Sequence, residues 1–152
     1  MRCCAVVLTA FAGPRGAPAQ RVAVRELQAG ASGIVATRDF WGIEVGVARR
    51  PGQRRERVTV AVGDAAGAVG VRVGAAVQFV LKPTARSGTS PYAGAGVTYA
   101  GARGARGAGY LAVMLGLEAA PGRTRGWYVE LGLEGGVRLV AGLRWRRVSS
   151  AT

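Results

Sequence analysis

Glu130 and Glu134 are the residues of this 152-residue chain whose type and spacing come nearest to chemistry. Side chains on a strand alternate between two faces, so an i,i+4 pair shares one face. Two carboxylates on one face are the raw material of glycoside hydrolysis. Arg138 and Arg144 follow with the same parity, however, and salt bridges from them to the glutamates are the expectation. The sequence has no His, which removes Ser-His-Asp and Cys-His catalysis in their usual forms. Its two cysteines, Cys3 and Cys4, are adjacent and near the N-terminus, so no His/Cys metal cluster can form. Gly94-Ala95-Gly96 and the stretch from Gly101 to Gly107 are glycine-rich, but no strand–loop–helix context supports a phosphate cradle. The expectation is a non-enzymatic chain with no catalytic residue, no cofactor and no metal.

The elements that hold these charges read as strands. No 18-residue apolar stretch is present, which excludes a helical membrane protein. Glycine occupies 25 positions, which disfavours long helices. What recurs is period-two alternation. Leu139, Ala141, Leu143 and Trp145 alternate with Arg138, Val140, Gly142 and Arg144. Trp127, Val129, Leu131 and Leu133 alternate with Tyr128, Glu130, Gly132 and Glu134. The same pattern marks segments around Leu111–Leu117, Ala93–Tyr99, Val69–Leu81, Val58–Val62 and Trp41–Val47, and more weakly Leu27–Val35. Turn signals separate all eight, among them Pro51-Gly52, Pro121-Gly122 and the two-residue Gly135-Gly136. The fold class is therefore all-β: an eight-stranded antiparallel up-and-down barrel, with the even number returning both termini to one side.

The two faces set the environment. One carries Val, Leu, Ile, Trp, Tyr and Phe; the other carries Gly, Ala, Ser, Thr, Gln and charge. A water-facing surface would carry more Lys, Glu, Ser and Thr than this second face does, and a narrow eight-stranded interior has room for small residues and a few long ones. The second face also mixes charges, with Glu26, Glu44, Glu118, Glu130 and Glu134 against Arg72, Arg138 and Arg144, and Lys82 and Arg146 nearer the ends. Enclosed charges need such pairing. The apolar face carries no charge in its segment cores, where one would cost roughly 2–4 kcal/mol at a bilayer midplane. The reading is a transmembrane barrel, bulky face to lipid. Strands of about 10 residues tilted near 45° cover roughly 23 Å, close to the apolar band of such barrels. Trp41, Phe79, Tyr99, Trp127 and Trp145 sit near segment ends, as interfacial aromatics would.

Residues 1–19 read as a secretory signal: Arg2, an apolar run from Cys3 to Ala12, a break at Gly13-Pro14, and Ala17-Pro18-Ala19 before Gln20. The expected barrel domain is 20–147, followed by a tail, 148–152. Net charge is +13, and losing Arg2 and Arg15 leaves +11. The basic residues gather in apparent turns, such as Arg49 to Arg55, Lys82 to Arg86 and Arg123 to Arg125. With no basic helix and no stacking aromatics among them, nucleic acid is not an expected partner; solvated turns or contact with lipid phosphates are.

Ser90-Pro91-Tyr92-Ala93-Gly94-Ala95-Gly96-Val97-Thr98-Tyr99 resembles the "PY-x-G-x-G" strand of outer-membrane β-barrel domain proteins, and the Gly-rich ending Gly142-Leu143-Arg144-Trp145-Arg146 resembles their closing strand. The similarity covers roughly residues 20–147, and the small OmpA/OmpX-type barrels are the nearest architecture. It implies a monomer in the Gram-negative envelope, contacting membrane lipid and the barrel-insertion machinery, with a structural or minor-channel, porin-like role. Such proteins often end in an aromatic that this machinery reads; here Trp145 is followed by Arg146-Arg147-Val148-Ser149-Ser150-Ala151-Thr152. The lack of His also removes the site that lipid-A-modifying barrel enzymes use. Two other readings stand beside this one. A secreted lipocalin-like barrel would hold a small apolar ligand among Trp41, Val45, Leu115, Leu131 and Leu143. A basic secreted protein would bind anionic polymers. The direction of Leu131, Leu139 and Leu143 separates the first two.

Overall fold

The alternation builds one sheet. In a computed structural model that describes residues 23–82, 87–119 and 121–149, eight strands follow one another in chain order. They are β1 (Ala23–Val35), β2 (Phe40–Pro51), β3 (Arg54–Ala65), β4 (Ala68–Val80), β5 (Thr89–Ala102), β6 (Ala108–Ala119), β7 (Arg125–Leu133) and β8 (Val137–Ser149). Each pairs antiparallel with its sequence neighbours, and β8 returns to β1, with Ala29 opposite Leu143 and Leu27 opposite Trp145. Closure gives each of the eight strands a hydrogen-bonded neighbour on both sides.

The rim where β1 begins and β8 ends is here called the terminal rim, and the opposite end the far rim. The far rim carries short connections. Ala66 and Gly67 join β3 to β4 with φ of 52° and 86°, the two positive values of a type I′ hairpin turn, whose twist suits antiparallel strands. Asp64 supports this turn by accepting a hydrogen bond from the Gly67 amide at 3.0 Å. Asp39 does the same for the Ala36 amide at 3.1 Å.

The polarity of the molecule is inverted. Among the described residues, 27 large apolar side chains lie exposed on the outer wall while ten apolar residues are buried; an apolar surface of that extent is foreign to a water-soluble monomer. Leu131, Leu139 and Leu143 are 54%, 55% and 55% exposed, whereas Glu130 and Arg144 are 0% exposed. The lipocalin-like arrangement is thereby overturned. Trp41, Val45 and Leu115 are exposed as well, so the residues that would have lined its ligand cavity form the outside. The inside takes the face that carries the small and charged residues. Near the far rim it closes with a small apolar cluster of Ile34, Phe40 and Ala61.

Several boundaries differ from the expectations. β3 begins at Arg54, so Arg54 and Arg55 belong to a strand and the turn shrinks to Gly52 and Gln53. The β7–β8 connection takes three residues, Glu134 to Gly136, because Gly135 adopts φ 72° and Leu133 pairs with Val137. β8 runs through Ser149, two residues past the expected end of the barrel. β4 stops at Val80, which leaves Lys82 exposed beyond the strand instead of inside it. The expected signal, and residues 150–152 of the expected tail, lie outside the described residues.

The β3–β4 turn yields a direct test. Ala66 holds a left-handed conformation that costs a non-glycine residue about 1–2 kcal/mol. Ala66→Gly is expected to raise the urea midpoint of the folded barrel, and Gly67→Val to lower it. Tryptophan fluorescence during unfolding from detergent micelles measures both.

Candidate functional site

The lumen holds the charged side chains, and strand parity puts them there. In β3 the outward residues Val58, Val60 and Val62 are even-numbered, so the odd-numbered Arg55 and Arg57 point inward and are buried. By the same rule β1 contributes Glu26 and Gln28, β2 contributes Glu44, β4 contributes Gln78, and β6 contributes Glu118, all buried. β7 contributes Glu130, β8 contributes Arg138, Arg144 and Arg146, and Glu134 follows just after β7. Arg72 of β4 is mostly enclosed, its side chain 13% exposed.

Two clusters form. Toward the terminal rim, Arg55 binds Glu26 through Nε at 2.8 Å and Glu118 through Nη2 at 2.7 Å. Arg144 pairs with the same Glu118 through Nη1 and lies 3.6 Å from Glu26 through Nε. Arg146 reaches Glu118 at 2.9 Å, and Arg50 lies within 3.9 Å of Glu26 at the mouth. Toward the far rim, Glu130 receives both Arg57 nitrogens, Nη1 and Nη2, at 2.9 Å each, the bidentate geometry that makes guanidinium–carboxylate pairs strong. Arg138 donates to Glu130 and Glu44 and approaches Glu134 at 3.3 Å. Arg72 pairs with Glu134 at 3.0 Å and donates to its backbone carbonyl at 3.0 Å.

Gln78 and Tyr92 join the clusters. Gln78 accepts from Arg55 at 3.4 Å and donates to Glu130 at 3.0 Å. The Tyr92 hydroxyl donates to Glu130 at 3.2 Å, while its ring lies 5.4 Å from both Arg55 and Arg144. Arg144 also stacks over Tyr128 at 4.6 Å. Stacking of this kind lets a guanidinium shed water at lower cost. Tyr92 fits because its cross-strand partner is Gly116: a Cβ on Gly116 would collide with the Tyr92 ring.

All eight residues expected in the interior network, Glu26, Glu44, Arg72, Glu118, Glu130, Glu134, Arg138 and Arg144, lie in the lumen. Their partners differ in part from the sequence pairing. Arg144 engages Glu118 and Glu26, on β6 and β1, whereas Glu130 engages Arg57 and Arg138. The basic run beside Pro51-Gly52 places Arg55 in a turn by sequence, and nothing there singles out Arg57, although both act as hubs. Extending the β3 parity back from Thr59 would have found them. Nor are the charges five against five. Among the described residues, five glutamates face seven buried or largely enclosed arginines, Arg50 being the one at the mouth, and the excess lies toward the terminal rim. The expected aromatics divide between the ends. Trp41 and Tyr99 lie near the far rim, and Phe79, Trp127 and Trp145 near the terminal rim.

Every carboxylate in the lumen is held by guanidinium groups. Glu130 and Glu134 face arginines, not a free substrate space. Among the described residues no group of acids, His or Cys has the arrangement of a metal site.

Among the described residues Glu130 is the one carboxylate to which Arg57 donates a hydrogen bond, so Glu130→Ala strands a buried charge, at a cost of about 3–5 kcal/mol. The variant is expected to lose most of its urea resistance in refolding assays. Gly116→Ala, which adds a single methyl group, should also lower the midpoint by pushing Tyr92 off Glu130.

No protein-family model matches the chain, and no curated protein matches it in sequence. Solved structures do resemble it. Outer membrane protein OprG from Pseudomonas aeruginosa aligns with a TM-score of 0.68 at 9% identity, over 86% of this chain and 98% of that one. Neisserial surface protein A gives 0.57 at 16% identity, over 81% and 96%. The N-terminal β-barrel domain of Pseudomonas aeruginosa OprF gives 0.57 at 13% identity, over 80% and 97%. At these identities the likeness is one of fold: the chain has the architecture of the small eight-stranded outer-membrane barrels.

Proposed function

We propose that the protein is a non-enzymatic outer-membrane barrel that serves as a structural element and does not conduct solutes. One observation carries the reading: the wall is apolar on the outside, and the lumen is filled by a cross-linked ionic network. Arg55, Arg144, Tyr92, Tyr128, Gln28, Gln78, Glu118 and Glu130 are each less than 2% exposed, so the middle of the barrel is occupied by protein. Eight-stranded barrels of this width are filled by side chains. The outer wall supports a membrane location, because a lipid-facing surface needs apolar groups and a closed sheet needs no water to satisfy its backbone. Export through the leader at 1–19, delivery by the insertion machinery and a monomeric state belong to the same reading.

Two measurements test it. Cell fractionation is expected to recover the protein with outer membranes and to require detergent for its release; recovery in the soluble periplasm would overturn the membrane reading. In planar bilayers the wild-type barrel is expected to give no steady conductance, while Arg144→Ala combined with Glu118→Ala should produce small openings. Steady wild-type current would replace the structural role with a channel role.

A further inference from the structure

The outer wall carries a charge pattern that the lumen does not explain. Arg147 of β8 stands opposite Arg25 of β1, and Arg25 stands opposite Arg49 of β2. All three face outward and are exposed. Like charges directly opposite on a sheet repel. The next residue along the row is Glu56, opposite Arg49, but it is engaged by Arg54 at 2.9 Å. Arg25, Arg49 and Arg147 have no carboxylate partner among the described residues.

This row sits at a defined depth. Two residues further along each strand the outward side chains are Trp145, Leu27 and Val47, which are themselves cross-strand neighbours. The guanidinium groups thus border the apolar band on the terminal rim. Open grooves run from them onto the wall. One, of about 530 Å³, has Arg25, Arg125 and Arg147 beside Leu27 and Trp145. The other, of about 680 Å³, rises from Arg25, Arg49 and Arg54 between Val47 and Val97, where the small side chains of Ala75 and Ala95 leave a depression. The far rim lacks this pattern: Arg38, Arg103 and Arg106 share it with Asp39 and Asp64.

A ligand that satisfies both features has an anionic head for the arginine row and aliphatic chains for the grooves. We infer that the terminal rim binds anionic glycerophospholipid of the adjoining leaflet, with the phosphate seated against Arg147, Arg25 and Arg49. This inference rests on the membrane reading above. A soluble polyanion would use the charges and leave the apolar grooves unused.

Quenching by brominated lipid tests it. Protein retaining Trp145 alone, with Trp41→Phe and Trp127→Phe, is refolded into phosphatidylcholine vesicles. These contain a small fraction of either brominated phosphatidylglycerol or brominated phosphatidylcholine. Enrichment of phosphatidylglycerol around Trp145 by about fivefold is expected, the scale of one surface arginine's attraction for anionic lipid. Protein retaining Trp41 alone should be quenched equally by both lipids. Arg25→Gln, Arg49→Gln and Arg147→Gln together should abolish the preference at Trp145, and the three lysine replacements should keep most of it. If the triple glutamine variant does not refold, Arg25→Gln alone should at least halve the preference. Soluble glycerophosphate should not compete. Equal quenching of Trp145 by the two lipids, in protein that has inserted, would overturn this inference alone. Failure to insert would overturn the membrane reading first. Competition by glycerophosphate, or by a soluble polyanion such as heparin at equal charge, would reassign the row to a soluble anion.

Discussion

Pairing of buried charge across the lumen is the interaction on which the barrel depends. Each glutamate inside is held by at least one arginine that is far away in sequence. Arg57 on β3 meets Glu130 on β7, the strand diametrically opposite in an eight-stranded ring. Arg138 on β8 meets Glu44 on β2, and Arg55 on β3 meets Glu118 on β6. A carboxylate removed from water is costly unless paired and hydrogen-bonded. The closed form meets that condition, and an open or slipped sheet would not, because a one-residue slip turns every charge toward the outer wall.

The same network explains why the wall can be apolar. The lumen is occupied by glycine, alanine and long side chains that pair with one another, so the Val, Leu and Ile face is left to the outside. Tyr92 lies across the interior over Gly116 and links the two ionic clusters through Glu130 and the arginines. The two clusters of the lumen are thus tied together by side chains. What remains outside is a continuous band of Val, Leu and Ile with aromatics toward both rims.

Charge is distributed with a direction. The far half of the lumen matches three glutamates with three arginines, while the terminal half holds more arginine than glutamate. The outer wall repeats the asymmetry, with the row of Arg147, Arg25 and Arg49 at the terminal rim. One end of the molecule is therefore basic inside and outside, and the opposite end is mixed. On the lipid-binding reading proposed above, anionic headgroups would supply the counter-charge for such an end.

Much of this was legible in the residues alone. Alternation of Leu139, Leu143 and Trp145 with Arg138 and Arg144, repeated eight times between turns, determined an antiparallel barrel and told which side chains share a face, because a strand's side-chain period is two whatever it pairs with. The inward glutamates could be named for the same reason. Arg55 and Arg57 followed the same parity, but a basic run beside Pro51-Gly52 reads as a turn until the strand is seen to start at Arg54. Partner choice was beyond the sequence. Local spacing offered Glu130 and Glu134 to Arg138 and Arg144, yet Arg144 turns to Glu118 and Glu26, and Glu130 takes Arg57 from across the lumen. Those choices depend on how the strands are staggered when the sheet closes, a distance through space that no spacing along the chain encodes.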